Sequence, residues 1–127
     1  MAKKPFSIKK RLKSFTYAFS GLKTLFREEH NAWIHAATTV LVITAGLLFR
    51  ISEIEWIAVI LCIGLVIGAE AFNSAIERIA DMVQPERDMR IKTIKDLSAG
   101  AVLACAITAA IIGVMVFLPK IIKLLSI

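Results

Sequence analysis

Cysteine is scarce: the 127 residues hold two, Cys62 and Cys105. Both sit inside apolar runs, where a thiol behaves as a small hydrophobe, so a disulfide scaffold is excluded. His and Cys nowhere recur at metal-ligand spacing. His30 and His35 are five residues apart and do not share a helix face well; His35 reads as a residue hydrogen-bonded within its own helix. There is no Gly-x₄-Gly-Lys-Ser/Thr loop and no Gly-x-Gly-x-x-Gly run. Charge is also sparse, at 20% of residues, against 57% apolar residues and a mean hydropathy of +0.73. Those values exclude a disordered chain. They exclude a soluble domain too, because a fold this small buries too little of its surface to hide so much apolar area. The net charge of +6 does not imply a nucleic-acid partner, since the basic residues gather at one end. One domain is the expectation at this length, and the composition points to a small all-α integral membrane protein.

No charged residue lies between Asn31 and Phe49 or between Leu97 and Pro119. Each stretch is near the ~20 residues that cross a ~30 Å hydrocarbon core as a helix. Between them, residues 54–83 read as one helix that spans and then emerges. Ser52-x-x-Glu55 is its start signal, and Gln84-Pro85 is its stop, because proline disfavours helix for the residue before it. Pro119 is expected to end the third span. The spans are thus about 31–49, 54–83 and 97–118, within a single unit covering 1–127.

The first thirty residues have no apolar h-region, so no signal peptide is expected. They carry half of all the Lys and Arg, while Ile8, Leu12, Phe15, Phe19, Leu22 and Phe26 recur in steps of three and four. This predicts a basic amphipathic helix, about 7–28, lying on a membrane surface. Five basic residues occupy the segment 78–96 and one occupies 50–55. The positive-inside rule then places the N-terminus and the 78–96 loop in the cytoplasm and the C-terminus outside. Trp33 and Trp56 fall near span ends, where indole rings favour the interface. Gly64-x₃-Gly68 and the series Ala101, Cys105, Ala109, Gly113 are small-residue patterns suited to close helix contact, within and between copies.

The informative segment is Glu70-Ala-Phe-Asn73-Ser74-Ala-Ile-Glu77-Arg-Ile-Ala-Asp81. At 100° per residue, Glu70, Asn73, Ser74, Glu77 and Asp81 share one helix face. With Trp56 at the outer boundary, Glu70 lies ~21 Å down the helix at ~1.5 Å per residue, still inside the hydrocarbon. A carboxylate there costs ~2.5–3.5 kcal/mol on insertion scales and calls for a partner, a cavity or a function. A polar seam that orders helix packing would account for Asn73 and Ser74, but not for several anions on one face. Such anions suit a hard cation, and Mg²⁺ takes oxygen ligands from one or two carboxylates plus substrate phosphates. Glu28 and Glu29 precede the first span, and Lys95 and Asp96 precede the third. Acidic ligands and a lysine at one interface suggest a nucleotide phosphate site, while Lys95-Asp96 reads equally as a solvated helix start.

Glu70-Ala-Phe-Asn-Ser-Ala-Ile-Glu77, Asp81, and Lys95-Asp-Leu-Ser-Ala-Gly-Ala-Val102 resemble the signature of the prokaryotic diacylglycerol kinase / undecaprenol kinase family, with Tyr17-Ala-Phe-Ser-Gly-Leu22 and Glu29 agreeing. The resemblance implies a homotrimeric membrane lipid kinase that transfers the ATP γ-phosphoryl group to a lipid hydroxyl. It implies that Glu70 is the general base and that Glu29 and Glu77 hold Mg²⁺ on the ATP phosphates. It makes Lys10, Tyr17, Glu29, Glu77, Glu86, Lys95 and Asp96 contacts of ATP, with Asn73 and Asp81 in support. Lys10 stands where the family often has arginine, and Asp88 where it commonly has histidine. Glu28-Glu29-His30-Asn31 and His35 resemble the polyprenol kinase branch, so undecaprenol is favoured over diacylglycerol as acceptor. The partners implied are ATP, a lipid alcohol, the bilayer and further copies of the chain, in the cytoplasmic (inner) membrane. The alternative is a non-enzymatic oligomeric membrane module, ion-conducting or assembling, built on the same polar seam.

Overall fold

A computed structural model describes residues 2–126. They form four helices: α1 (Ile8–Glu28), α2 (His30–Phe49), α3 (Glu53–Val83) and α4 (Met89–Leu125). The last three are long and apolar enough to cross a membrane. Local chemistry sets most of the boundaries. Ser7 caps α1 by accepting from the Lys10 N–H. Glu29 alone separates α1 from α2: its backbone is extended, and its N–H closes α1 on the Leu25 carbonyl at 3.0 Å. Ser52 and Glu55 form a reciprocal capping box at the start of α3. Gln84 ends that helix just ahead of Pro85.

α4 departs from the expected span at both ends. It starts at Met89, capped by Asp88, so the charged stretch before Leu97 is helix rather than loop. It also runs through Pro119 to Leu125. Proline fixes φ near −65°, which a helix accepts, and removes one backbone hydrogen bond. The next residue, Lys120, ties this turn to α3: its Nζ donates to the Val116 carbonyl at 3.2 Å and to Glu55 Oε2.

α3 and α4 pack along much of their length, and α2 joins them on one side. The packed core lies at the end remote from α1. Ile51, Val59 and Val116 are buried there, with Phe49, Trp56 and Phe117 against them. The Phe49 and Phe117 rings tilt at 60° with centroids 6.2 Å apart. Trp56 presses on Gly46, where an added Cβ would come within 2.7 Å of its ring. Away from this core the apolar side chains point outward: Leu48 and Ile54 are each 78% exposed. Such a surface is at home in hydrocarbon and not in water.

Candidate active site

The polar face of α3 is buried where α2 begins. Glu70 is 2% exposed, and Asn73 and Ser74 are buried beside it. Glu77 is half-buried and Asp81 exposed, so the face grades from dry to wet along the helix. The opposite side carries Phe72 and Ile79, both outward-facing. Half a turn of period-3.6 geometry therefore separates an acidic inner stripe from an apolar outer one.

α2 runs antiparallel to α3 and, besides the Gly46–Trp56 contact, meets it at two polar places. Near its start, Ser74 Oγ donates to Glu29 Oε1 at 2.8 Å. Arg78, one turn further along α3, donates to Glu28 Oε2 at 2.7 Å and lies 3.5 Å from Glu29 Oε1. Glu29 is thus held by a hydroxyl and steadied by a guanidinium. Six residues on, His35 Nε2 lies 3.6 Å from Glu70 Oε2. This corrects the sequence reading of His35: its ring faces α3 across the helix pair, and register, not local bonding, gives it that place.

α4 supplies the third wall. Lys95 Nζ donates to Asp81 Oδ1, and the charge of Glu77 acts on the same ammonium. Asp96 points elsewhere, pairing with Lys92 one turn earlier. Ser98 is buried on this helix and was missed by the site reading, although it lies within the Lys95–Val102 string. Three buried side-chain oxygens have no hydrogen-bond partner among the described residues: Glu70 Oε2, Asn73 Oδ1 and Ser98 Oγ. A buried unsatisfied polar group costs about 1–3 kcal/mol, so these oxygens mark a place suited to a polar ligand.

The other sequence candidates stand apart from this cluster. Lys10 and Tyr17 lie on exposed turns of α1, and Glu86 lies in the exposed link between α3 and α4. Among the described residues, no group of three or more His, Cys, Asp or Glu side chains converges closely enough to hold a metal unaided. An apolar groove of about 370 Å³ opens between α2, α3 and α4. Thr38, Val42, Val59, Val66, Ala109 and Gly113 line it, and His35 stands at its head beside Glu70.

Residues 16–117 match the prokaryotic diacylglycerol kinase family over most of the chain, through both α1 and the three long helices. The chain belongs to this family. Within it, the chain is 39% identical over 108 residues to an undecaprenol kinase of Bacillus subtilis, covering 85% of this chain and 88% of that protein. It is 36% identical over 115 residues to a diacylglycerol kinase of Synechocystis, covering 90% of this chain and 66% of that one. Glu70 is buried beside His35, which lines the head of the groove, and the charged side chains of Glu29, Arg78 and Lys95 lie further towards the same end of the helices.

Proposed function

We propose that this chain is an ATP- and Mg²⁺-dependent kinase of a membrane lipid alcohol. The observation that carries the reading is Glu70: a 2%-exposed carboxylate whose Oε2 has no hydrogen-bond partner, at the junction of an apolar groove and a polar rim. Glu70 takes the proton of the acceptor hydroxyl as that oxygen bonds to the γ-phosphorus, a role worth about 10²–10⁴ in rate for a placed general base. Asn73 sits next to it on the same face and supports its orientation.

Phosphoryl transfer asks mainly for positioning and charge neutralisation. Lys95 offers a point charge to phosphate, and Lys10, Tyr17, Glu86 and Asp96 are assigned to the nucleotide by resemblance. The donor types fit Mg²⁺: Glu29 at the α1–α2 joint and Glu77 on α3 offer carboxylate oxygens, short of a closed cage, and Mg²⁺ commonly takes one or two carboxylates plus phosphate oxygens. When bound, the ion neutralises charge on the phosphates. Ser74 and Arg78 keep Glu29 in place.

Undecaprenol is the favoured acceptor and diacylglycerol the second. The groove supports that order. The Thr38 and Thr39 hydroxyls within it donate to the Ile34 and His35 carbonyls at 2.8 and 2.7 Å, so neither is free for an ester carbonyl. A plain isoprenoid chain asks for no such donor. The apolar residues of α1 are outward-facing, Phe15 and Phe19 among them, which supports its lying on the membrane surface. Gly64 faces open space, which supports close approach of further copies, three in the reading taken from the resemblance. The placement is the cytoplasmic membrane, with the N-terminus and the α3–α4 link on the cytoplasmic side.

The test is transfer of labelled γ-phosphate from ATP to lipid, read by thin-layer chromatography with undecaprenol and diacylglycerol side by side. Labelled undecaprenyl phosphate is the expected product, and its formation stops when Mg²⁺ is chelated. No labelled lipid from either acceptor, together with ion flux that depends on Glu70, would favour the non-enzymatic module.

A further inference from the structure

One group at the heart of the site has no part in the reaction as described: His35. Its Nε2 faces Glu70 Oε2 at 3.6 Å, and that oxygen is buried without a hydrogen-bond partner. The separation is too long for a direct hydrogen bond, which needs roughly 2.7–3.2 Å. An oxygen seated between the two atoms requires the pair to part. An alcohol oxygen about 2.8 Å from each atom closes an angle of about 80°, which widens to about 110° when the gap grows by about 1 Å. His35 also stands at the head of the apolar groove. A chain lying in that groove brings its terminal oxygen up between the imidazole and the carboxylate.

We propose that His35 is a second hydroxyl-binding residue: its Nε2–H and the Glu70 carboxylate together grip the acceptor alcohol. This rests on the lipid-kinase reading and adds to it. The alcohol oxygen accepts from His35 and donates to Glu70, so one lone pair is left for the γ-phosphorus. In the transfer, the O–H bond breaks and its proton passes to Glu70. The alcohol oxygen bonds to the γ-phosphorus, and the bond from that phosphorus to the β–γ bridging oxygen breaks, its electron pair leaving with ADP. His35 keeps its proton throughout. Its task is to fix the direction of attack, where small misplacements of a reacting atom are costly. A histidine does this better than an aliphatic neighbour because one ring nitrogen can donate while the ring itself packs against groove walls.

The experiment compares wild type, His35→Ala, His35→Gln, His35→Leu and Glu70→Gln, each purified and checked for helicity and assembly. Lipid phosphorylation is measured with the acceptor and ATP varied separately. The methyl ether of the acceptor is tested as an inhibitor, since its oxygen accepts from His35 but has no proton for Glu70. His35→Ala is expected to lose tenfold or more in kcat/KM for the alcohol with the KM for ATP unchanged. His35→Gln, which keeps an N–H donor, recovers part of that loss. The ether is expected to inhibit His35→Ala about tenfold more weakly than wild type. His35→Leu reports the same loss should the smaller side chain disturb folding. An inactive Glu70→Gln beside fully active His35→Ala and His35→Leu, with unchanged ether inhibition, overturns the His35 assignment alone. A wild type that phosphorylates no lipid overturns the kinase reading, and His35 with it.

Discussion

Burial assigns different work to carboxylates that the sequence writes alike. Glu70 is enclosed and faces an imidazole, Glu29 is tied by Ser74 and steadied by Arg78, and Asp81 is exposed and held by Lys95. In the proposed reading the enclosed Glu70 is the base that takes the proton of the lipid hydroxyl, and Glu70→Gln would remove it while keeping the shape. Transfer to lipid is expected to fall by about 10²–10⁴, with helicity by circular dichroism unchanged. Wild-type turnover in a well-assembled Glu70→Gln protein would refute the base assignment. Glu77→Gln belongs to the wet half of the face. It is expected to raise the Mg²⁺ concentration for half-maximal rate while the KM for the lipid stays put. A shift in lipid KM with no change in the Mg²⁺ response would place Glu77 in acceptor binding instead.

At the scale of the helix, the remote core rests on one missing side chain. Gly46 lets Trp56 lie against α2, and an added Cβ would stand 2.7 and 2.9 Å from two of its ring atoms. Overpacking of this kind costs about 1–3 kcal/mol, so Gly46→Ala should lower the melting temperature in detergent. Gly21→Ala is the control, because open space surrounds Gly21 in α1 and alanine favours helix over glycine by about 0.8–1 kcal/mol. Equal melting of the two variants would remove the close-contact argument. At the start of α4, the hydrogen bonds from the Arg90 side chain and N–H hold the Asp88 carboxyl at about 2, below its ordinary 3.8. A depressed pKa in the fold means the cap is fully present above about pH 4 and is lost as pH falls through about 2. An NMR titration of Asp88 with a midpoint at its ordinary value would deny the cap. The boundaries of α3 were legible because a capping box and a proline punctuate them. Those of α4 were not: charges at Lys92, Lys95 and Asp96 look like loop when read one residue at a time, and Pro119 looks like a stop until Lys120 is seen bonding across to Glu55. The acidic face of α3 could be read because one helix repeats itself. His35 and Ser98 could not, since their places depend on how α2 and α4 register against α3.

The whole molecule exposes too much apolar surface for water, and its three long helices give it an odd number of crossings. An odd number puts the two ends of the chain on opposite sides. The link between α3 and α4 is then on the side of the N-terminus, the side that the proposed reading gives to the nucleotide. Basic residues are dense in α1 and around that link, and the positive-inside rule makes the cytoplasm the expected side in the proposed reading. Single cysteines test this directly, once Cys62 and Cys105 are replaced by alanine. In sealed vesicles of known orientation, a membrane-impermeant thiol reagent should reach Lys3→Cys and Arg87→Cys from the same, cytoplasmic face. It should reach Ser126→Cys only from the other. Labelling of Arg87→Cys and Ser126→Cys from one face would mean that α4 does not cross, and the proposed orientation would fall.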